Sequence, residues 1–191
     1  MKNFLKSLLF VSLGFCLMMS PSFAADSKVP TSMVTIGEGD DLLDAEVELK
    51  IGDVAPDFSL PNLNTDKMES LKDYLGKPIV LFFIQSACYS CLQEAKALQE
   101  LKEKYADKIN VIAVGVDLLG KPMLVSWAAH NNINYPVLLD PIFAVPEKYG
   151  FSFTPSSVII DKEGKIALIH AGYRPKDIDT FEGKLKELIG D

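Results

Sequence analysis

With 191 residues, 48% of them hydrophobic and 24% charged, the chain has the length and composition of one globular domain with a full core. A formal net charge of −7 argues against nucleic acid, which needs clustered Lys and Arg to neutralise its phosphates. It argues equally against electrostatic docking on anionic lipid.

The first residues differ from the rest. Lys2 and Lys6 give a positive start, an apolar run follows from Leu8 to Met19, and Ser20-Pro21 break it. Ser22-Phe23-Ala24 then put small residues at the −3 and −1 positions of a cleavage site before Ala25. This is the anatomy of a secretory signal peptide over residues 1–24, and it places the mature protein in the periplasm or another extracytoplasmic space. The apolar run is shorter than the roughly 20 residues that span a bilayer as a helix, and an uncleaved N-terminal anchor is the alternative. Phe15 is too bulky for the position before a lipidated Cys16. Cleavage removes Cys16, so that of three cysteines only Cys88 and Cys91 remain. In an oxidising compartment such a pair is either a staple or a tool.

Residues 25–50 read as an acidic leader. Between Lys28 and Lys50 stand Glu38, Asp40, Asp41, Asp44, Glu46 and Glu48, with no basic residue. Alternation of Val47 and Leu49 with Glu46 and Glu48 gives an extra strand over 45–50 as the second reading. The globular domain is expected over 51–191.

Within it, Asp57 to Leu60 reads as a short strand, and the Asn-rich stretch from Pro61 to Asp66 as a turn. Met68 to Tyr74 leads into a helical turn. Ile79 to Ile84 (IVLFFI) and Ile109 to Val116 (INVIAVGV) are continuous apolar runs of strand length, as expected of strands buried on both faces. Cys88 to Tyr105 is helical, with Leu92, Ala95, Leu98 and Leu101 on one face. Pro122 to Asn131 is a helix with Pro in its first turn. Val137 to Leu139 is a strand, and Ile142 to Tyr149 a short helix ended by Gly150. Ser157 to Asp161 and Lys165 to His170 are strands joined by the tight turn Lys162-Glu163-Gly164, and an amphipathic helix from Lys176 to Ile189 closes the chain. Alternating strands and helices followed by a hairpin and a last helix make an α/β sheet with helices on both faces.

Cys88-Tyr89-Ser90-Cys91 falls where a buried strand ends and a helix begins. The first helical turn offers unpaired N–H groups and the positive end of the macrodipole. A thiolate seated there is stabilised, and its pKa falls from about 8.5 toward neutrality. The two-residue gap sets the second sulfur one turn on, within reach of a Cys88–Cys91 disulfide. Cys88 is then the exposed nucleophile and Cys91 the resolving thiol. A purely structural staple would close too small a loop to stabilise much. A zinc site needs four ligands, and His130 and His170 are not at a metal-type spacing. Haem attachment needs His directly after the second Cys, where Leu92 stands. No cofactor is implied.

From about Ala55 to Ile189 the chain resembles the thioredoxin superfamily, especially its exported TlpA-type and ResA-type branch. The resemblance rests on Ala55-Pro56-Asp57-Phe58-Ser59-Leu60, Gly76-Lys77-Pro78-Ile79-Val80-Leu81-Phe82-Phe83, the CYSC motif, Phe153-Thr154-Pro155-Ser156-Ser157-Val158-Ile159-Ile160-Asp161, Lys162 to Gly164, and Gly172, in that order. It implies a thioredoxin-like fold: a central mixed β-sheet flanked by helices on both faces, with an N-terminal β extension and an inserted helix. It implies thiol–disulfide exchange with exported proteins, Cys88 and Cys91 being the redox pair. Thr154-Pro155 matches the cis-proline loop, whose backbone pairs with an extended substrate beside the motif residues Tyr89 and Ser90. Glu94 matches a glutamate that tunes the thiols or relays a proton to the inner one, its competing reading being a solvated helix acid. The partners implied are a membrane thiol donor and apocytochrome c or another exported protein; the direction of electron flow stays open, a reductive role of the kind cytochrome c maturation uses being one reading.

The departures are Ala87, where the family commonly has Trp, and Ser90, where it commonly has Pro; no redox poise is carried across them. Trp127, in the inserted helix, reads as core. His130 reads as a partner of helix-terminal carbonyls, and His170 as a strand-end residue. Two other functions compete. A peroxiredoxin-like thiol peroxidase shares the Ala55-Pro56-Asp57-Phe58 opening, but aligning Cys91 with its reactive sulfur puts Cys88 where that site has Thr. A copper-binding chaperone borrowing the fold would hold Cu(I) on two thiolates, but no added Met or His adjoins the motif.

Overall fold

The computed structural model describes residues 49–190. The signal peptide, Cys16 and the leader up to residue 48 lie outside the described residues. The strand read over 45–50 reaches them only at Leu49 and Lys50, which are not in a strand.

The chain runs β1 (Ser59–Pro61), β2 (Met68–Ser70), a 3-10 turn (Leu71–Tyr74), β3 (Ile79–Ile84), α1 (Tyr89–Tyr105), β4 (Asn110–Gly115), α2 (Lys121–His130), β5 (Val137–Leu139), α3 (Ala144–Lys148), β6 (Ser156–Ile160), β7 (Ile166–Ala171) and α4 (Asp177–Ile189). Five strands form the main sheet in the order β5-β4-β3-β6-β7. β3 pairs in parallel with β4, and β4 with β5, while β3–β6 and β6–β7 are antiparallel. The sheet is therefore mixed, as the resemblance implied. Every residue of β3 is fully buried, in keeping with its central place and its unbroken apolar run.

Alternate residues of β3 serve two cores. Val80, Phe82 and Ile84 pack with Leu98 and Leu101 of α1, Leu124 and Trp127 of α2, and Phe181 and Leu185 of α4. Ile79, Leu81 and Phe83 face Phe58, Leu71, Val145 of α3, Tyr149 and Phe151. Helix α2 approaches β4 so closely that a Cβ built on Gly115 would stand 2.3 Å from a methyl of Leu124. Gly115 is thus required by packing, since its place in the strand asks for no special backbone.

One segment differs from expectation. Met68 to Ser70, read as the lead-in to a helical turn, instead pairs antiparallel with β1, with Ser59 opposite Ser70. Three residues are too few to show a period, and the pairing comes from the turn between them, where the Asn62 side chain accepts from the backbone amides of Asn64 and Thr65. The helical turn follows directly, opened by a capping box between Ser70 and Asp73.

Candidate active site

Helix α1 begins at Tyr89, and Cys88 is its N-cap in extended conformation. A cysteine at this position does what Ser or Asp usually does: its Sγ accepts the backbone N–H of Cys91 at 3.1 Å. The sulfur sits at the C-terminal end of parallel strand β3, where the chain leaves the sheet. Cys88 and Cys91 form a disulfide with their Cα atoms 5.2 Å apart. Cys91 is fully buried among the α1 core residues, whereas Cys88 is half-buried. Only the outer sulfur is within reach of another molecule.

Three further groups converge on Cys88. The hydroxyl of Ser90 lies 3.4 Å from its Sγ. The carbonyl oxygen of Thr154 lies 4.0 Å away, brought there by the loop before β6. The Thr154–Pro155 peptide bond is cis. Thr154 is also tied to the strand-end turn, its hydroxyl standing 3.3 Å from the side-chain oxygen of Gln85. Tyr89 is 74% exposed on the first turn of α1, and Phe153, next to Thr154, is 51% exposed. Of the residues expected in the site, Ser90, Cys91 and Thr154 each contact Cys88. Pro155 is buried behind Thr154, and Tyr89 stands free in solvent.

Glu94 is not a solvated helix acid. It is fully buried, and the Ser157 hydroxyl of β6 donates to its Oε1, while Oε2 has no hydrogen-bond partner. Burial penalises its charge, and the nearby Asp177 carboxylate adds to the effect; together they outweigh the Ser157 hydrogen bond and push its carboxyl up to about 8. A carboxyl poised there accepts and gives up protons near neutrality.

Three positioning residues were not legible in advance. Asp117, just past β4, accepts from both the backbone N–H and the hydroxyl of Ser86, at 2.9 and 2.8 Å. This fixes the turn that presents Cys88. Gln85 steadies Thr154, and Ser157 holds Glu94. The available signals were an acid at the end of a buried strand, on the same sheet edge as the CYSC motif, and a serine that proves fully buried among apolar β6 neighbours. Beside Ala87, where a bulky Trp would project in the family pattern, a cleft of about 270 Å³ opens between the motif turn and α2, with Met123, Trp127 and His130 in its wall. Among the described residues no cluster of three or more His, Cys, Asp or Glu side chains could hold a metal ion.

The family model for the AhpC/TSA family matches residues 51–169. The chain belongs to this thioredoxin-like family. It is 35% identical over 133 residues to the thioredoxin-like protein YneN of Bacillus subtilis, covering 69% of this chain and 77% of that one. It is 31% identical over 144 residues to the thiol-disulfide oxidoreductase ResA of Bacillus thuringiensis, covering 75% and 81%. A Chlorobium tepidum crystal structure assigned as a thiol:disulfide interchange protein DsbE superposes with a TM-score of 0.70 at 32% identity, covering 74% of this chain and 99% of that one. With its Cys88–Cys91 pair, this AhpC/TSA member is a thiol–disulfide oxidoreductase, and its substrates are thiols and disulfides.

Proposed function

We propose that the protein exchanges disulfides with exported polypeptides outside the cytoplasm, with Cys88 as the attacking sulfur, Cys91 as the resolving thiol and Glu94 as its proton partner. The observation that carries this reading is the seat of Cys88: at the N-cap of α1, held by the Cys91 amide and facing the Thr154 carbonyl. In the reducing direction the Cys88 thiolate attacks a substrate sulfur. A Cys88–substrate disulfide forms, the substrate S–S bond breaks, and the departing sulfur leaves as a thiolate that takes a proton from solvent. Glu94 in its ionised form, a minority near neutrality, then accepts the proton of Cys91, and the Cys91 thiolate attacks Cys88 Sγ. The Cys88–Cys91 bond closes, and the second substrate sulfur leaves with the electron pair. The oxidising direction is the same sequence reversed. Thr154 and Pro155 hold the partner's backbone, and the exposed Tyr89 and Ser90 flank it.

The location outside the cytoplasm is supported by the signal-peptide pattern of residues 1–24. A membrane thiol donor on one side and apocytochrome c or another exported protein on the other are the partners that fit the ResA-type resemblance. Against a peroxidase, the sulfur that would attack peroxide under that alignment is Cys91, which has no exposed surface.

The test is capture. Cys91→Ala leaves Cys88 able to attack and unable to resolve, so a mixed disulfide with a model disulfide substrate accumulates, and adducts formed in the exporting cell identify the partner. Absence of any adduct with the model substrate overturns the assignment of the nucleophile.

A further inference from the structure

Glu94 has no solvent contact, and a buried acid that takes a proton once per turnover needs a way to lose it. On the sheet face under α1 and α4, polar groups run outward from it in an otherwise apolar core. Ser157 of β6 is 1% exposed and donates to Glu94 Oε1. Directly opposite Ser157 in the antiparallel β6–β7 ladder stands His170. Cross-strand partners share a face, their Cβ atoms about 4.5–5.5 Å apart. His170 packs its ring edge-on against Phe181 of α4, at 5.2 Å between centroids, and its Nε2 lies 3.2 Å from Asp177 Oδ2. Side-chain exposure is 22% at His170, 9% at Asp177 and 70% at Arg174, whose backbone N–H also donates to Asp177 Oδ2.

We propose that Ser157 and the His170–Asp177 pair are the route by which the proton that Glu94 takes from Cys91 reaches solvent. The proposal rests on the reading of Glu94 as the proton partner of Cys91. Chemically, the route needs groups that donate and accept in turn. A serine hydroxyl does both. Asp177 stays ionised: burial alone would raise its carboxyl, but the Arg174 amide, His170 and the Arg174 guanidinium overcome that and hold it below the usual carboxylate range. The carboxylate therefore takes the Nε2–H of neutral His170, which leaves the lone pair on Nδ1. The Ser157 hydroxyl, which donates to Glu94 Oε1 here, must turn to its cross-strand neighbour His170 once Glu94 is protonated; the Glu94 proton then passes to the Ser157 oxygen as the hydroxyl proton of Ser157 passes to Nδ1. The imidazolium so formed keeps its Nε2–H on Asp177 and gives the Nδ1 proton to solvent, the His170 side chain being 22% exposed. No electrons move, and each group returns to its starting form. The other titratable groups that feel the charge of Glu94 are Tyr135, whose hydroxyl donates to the Ala95 carbonyl, and Tyr173. Burial, and then the charge of Glu94, pushes both upward, Tyr173 to about 12, so both stay neutral throughout.

The experiment follows the release of substrate thiol from the Cys88 mixed disulfide in the otherwise intact reduced protein, over a pH range spanning neutrality and at low buffer concentration. His170→Gln is expected to slow this step about tenfold and to regain most of the rate when imidazole is added, which a merely structural loss would not do. Ser157→Ala keeps the strand backbone and is expected to slow the same step, carrying the test if His170→Gln does not fold. Combined with Glu94→Gln, the His170→Gln effect is expected to vanish. A His170→Gln protein with the wild-type rate and pH profile, or a deficit that imidazole leaves untouched, overturns the route while leaving Glu94 in place. A Glu94→Gln protein at the wild-type rate overturns the Glu94 reading, and the route with it.

Discussion

Ser86 and Asp117, on turns at the ends of adjacent parallel strands, are joined by two hydrogen bonds, so that the β4 exit anchors the β3 exit immediately before Cys88. Asp117→Ala leaves the Ser86 amide and hydroxyl without that acceptor. A loss of about 1–3 kcal/mol is expected, read as a lower urea midpoint. Exchange is expected to slow as well, because the turn no longer fixes Cys88 at the head of α1. Unchanged exchange kinetics with a lowered midpoint would show that the clamp serves stability alone.

Ser90 occupies the place of the family's common Pro and puts a hydroxyl 3.4 Å from Cys88 Sγ. A donor at that place favours the thiolate over the thiol. Ser90→Ala is therefore expected to raise the Cys88 thiol, because the thiolate loses that donor. The rate of alkylation of the reduced protein against pH measures it. A shift downward would show that Ser90 is not a donor to the thiolate.

Glu94 makes the stability of the oxidised protein depend on pH with a definite sign. Its carboxyl titrates at about 8 in the fold against an ordinary value of 4.5. Between these values the folded protein keeps a proton that the unfolded chain releases, so the contribution of this group falls as pH rises and is flat beyond both limits. Glu94→Gln removes the slope. The variant is expected to gain on the wild type as pH climbs through that window, by on the order of a few kcal/mol in total. Thermal or urea unfolding at several pH values checks it; parallel curves for the two proteins would show that Glu94 is not held neutral.

Gly115 admits no side chain without moving Leu124. Gly115→Ala is expected to destabilise by about 1–3 kcal/mol, as overpacking of a filled core does. Paired with Leu124→Ala, it is expected to recover part of that loss. A double-mutant cycle in urea measures the coupling; strict additivity of the two changes would show that they do not share the space.

Much of this was legible in the residues themselves. The unbroken apolar runs of β3 and β4 identify central strands, because burial on both faces removes any alternation. The leucine and alanine spacing of α1 identifies its buried face in the same way. The CYSC pair is legible because helix N-termini activate thiols on physical grounds. Spacing alone does not decide the environment of Glu94: an acid in a helix full of Glu and Lys looks solvated until the fold brings Ser157 of a distant strand against it. Asp117 and Gln85 escaped for the same reason, since their partners lie far along the chain or across the sheet edge. His170 was read as an ordinary strand-end residue because its neighbours Ser157 and Asp177 meet it only through the β6–β7 register and the start of α4.

The complete burial of Cys91 behind Cys88 has a chemical corollary. On the proposed reading, every adduct made through the CYSC pair has one regiochemistry, with the partner tethered through Cys88 Sγ beside the Thr154 loop. Small oxidants and electrophiles meet only the outer sulfur. Damage of the sulfinic or sulfonic kind falls there, and the inner thiol is spared to resolve a sulfenic acid on its neighbour into the disulfide the protein already uses.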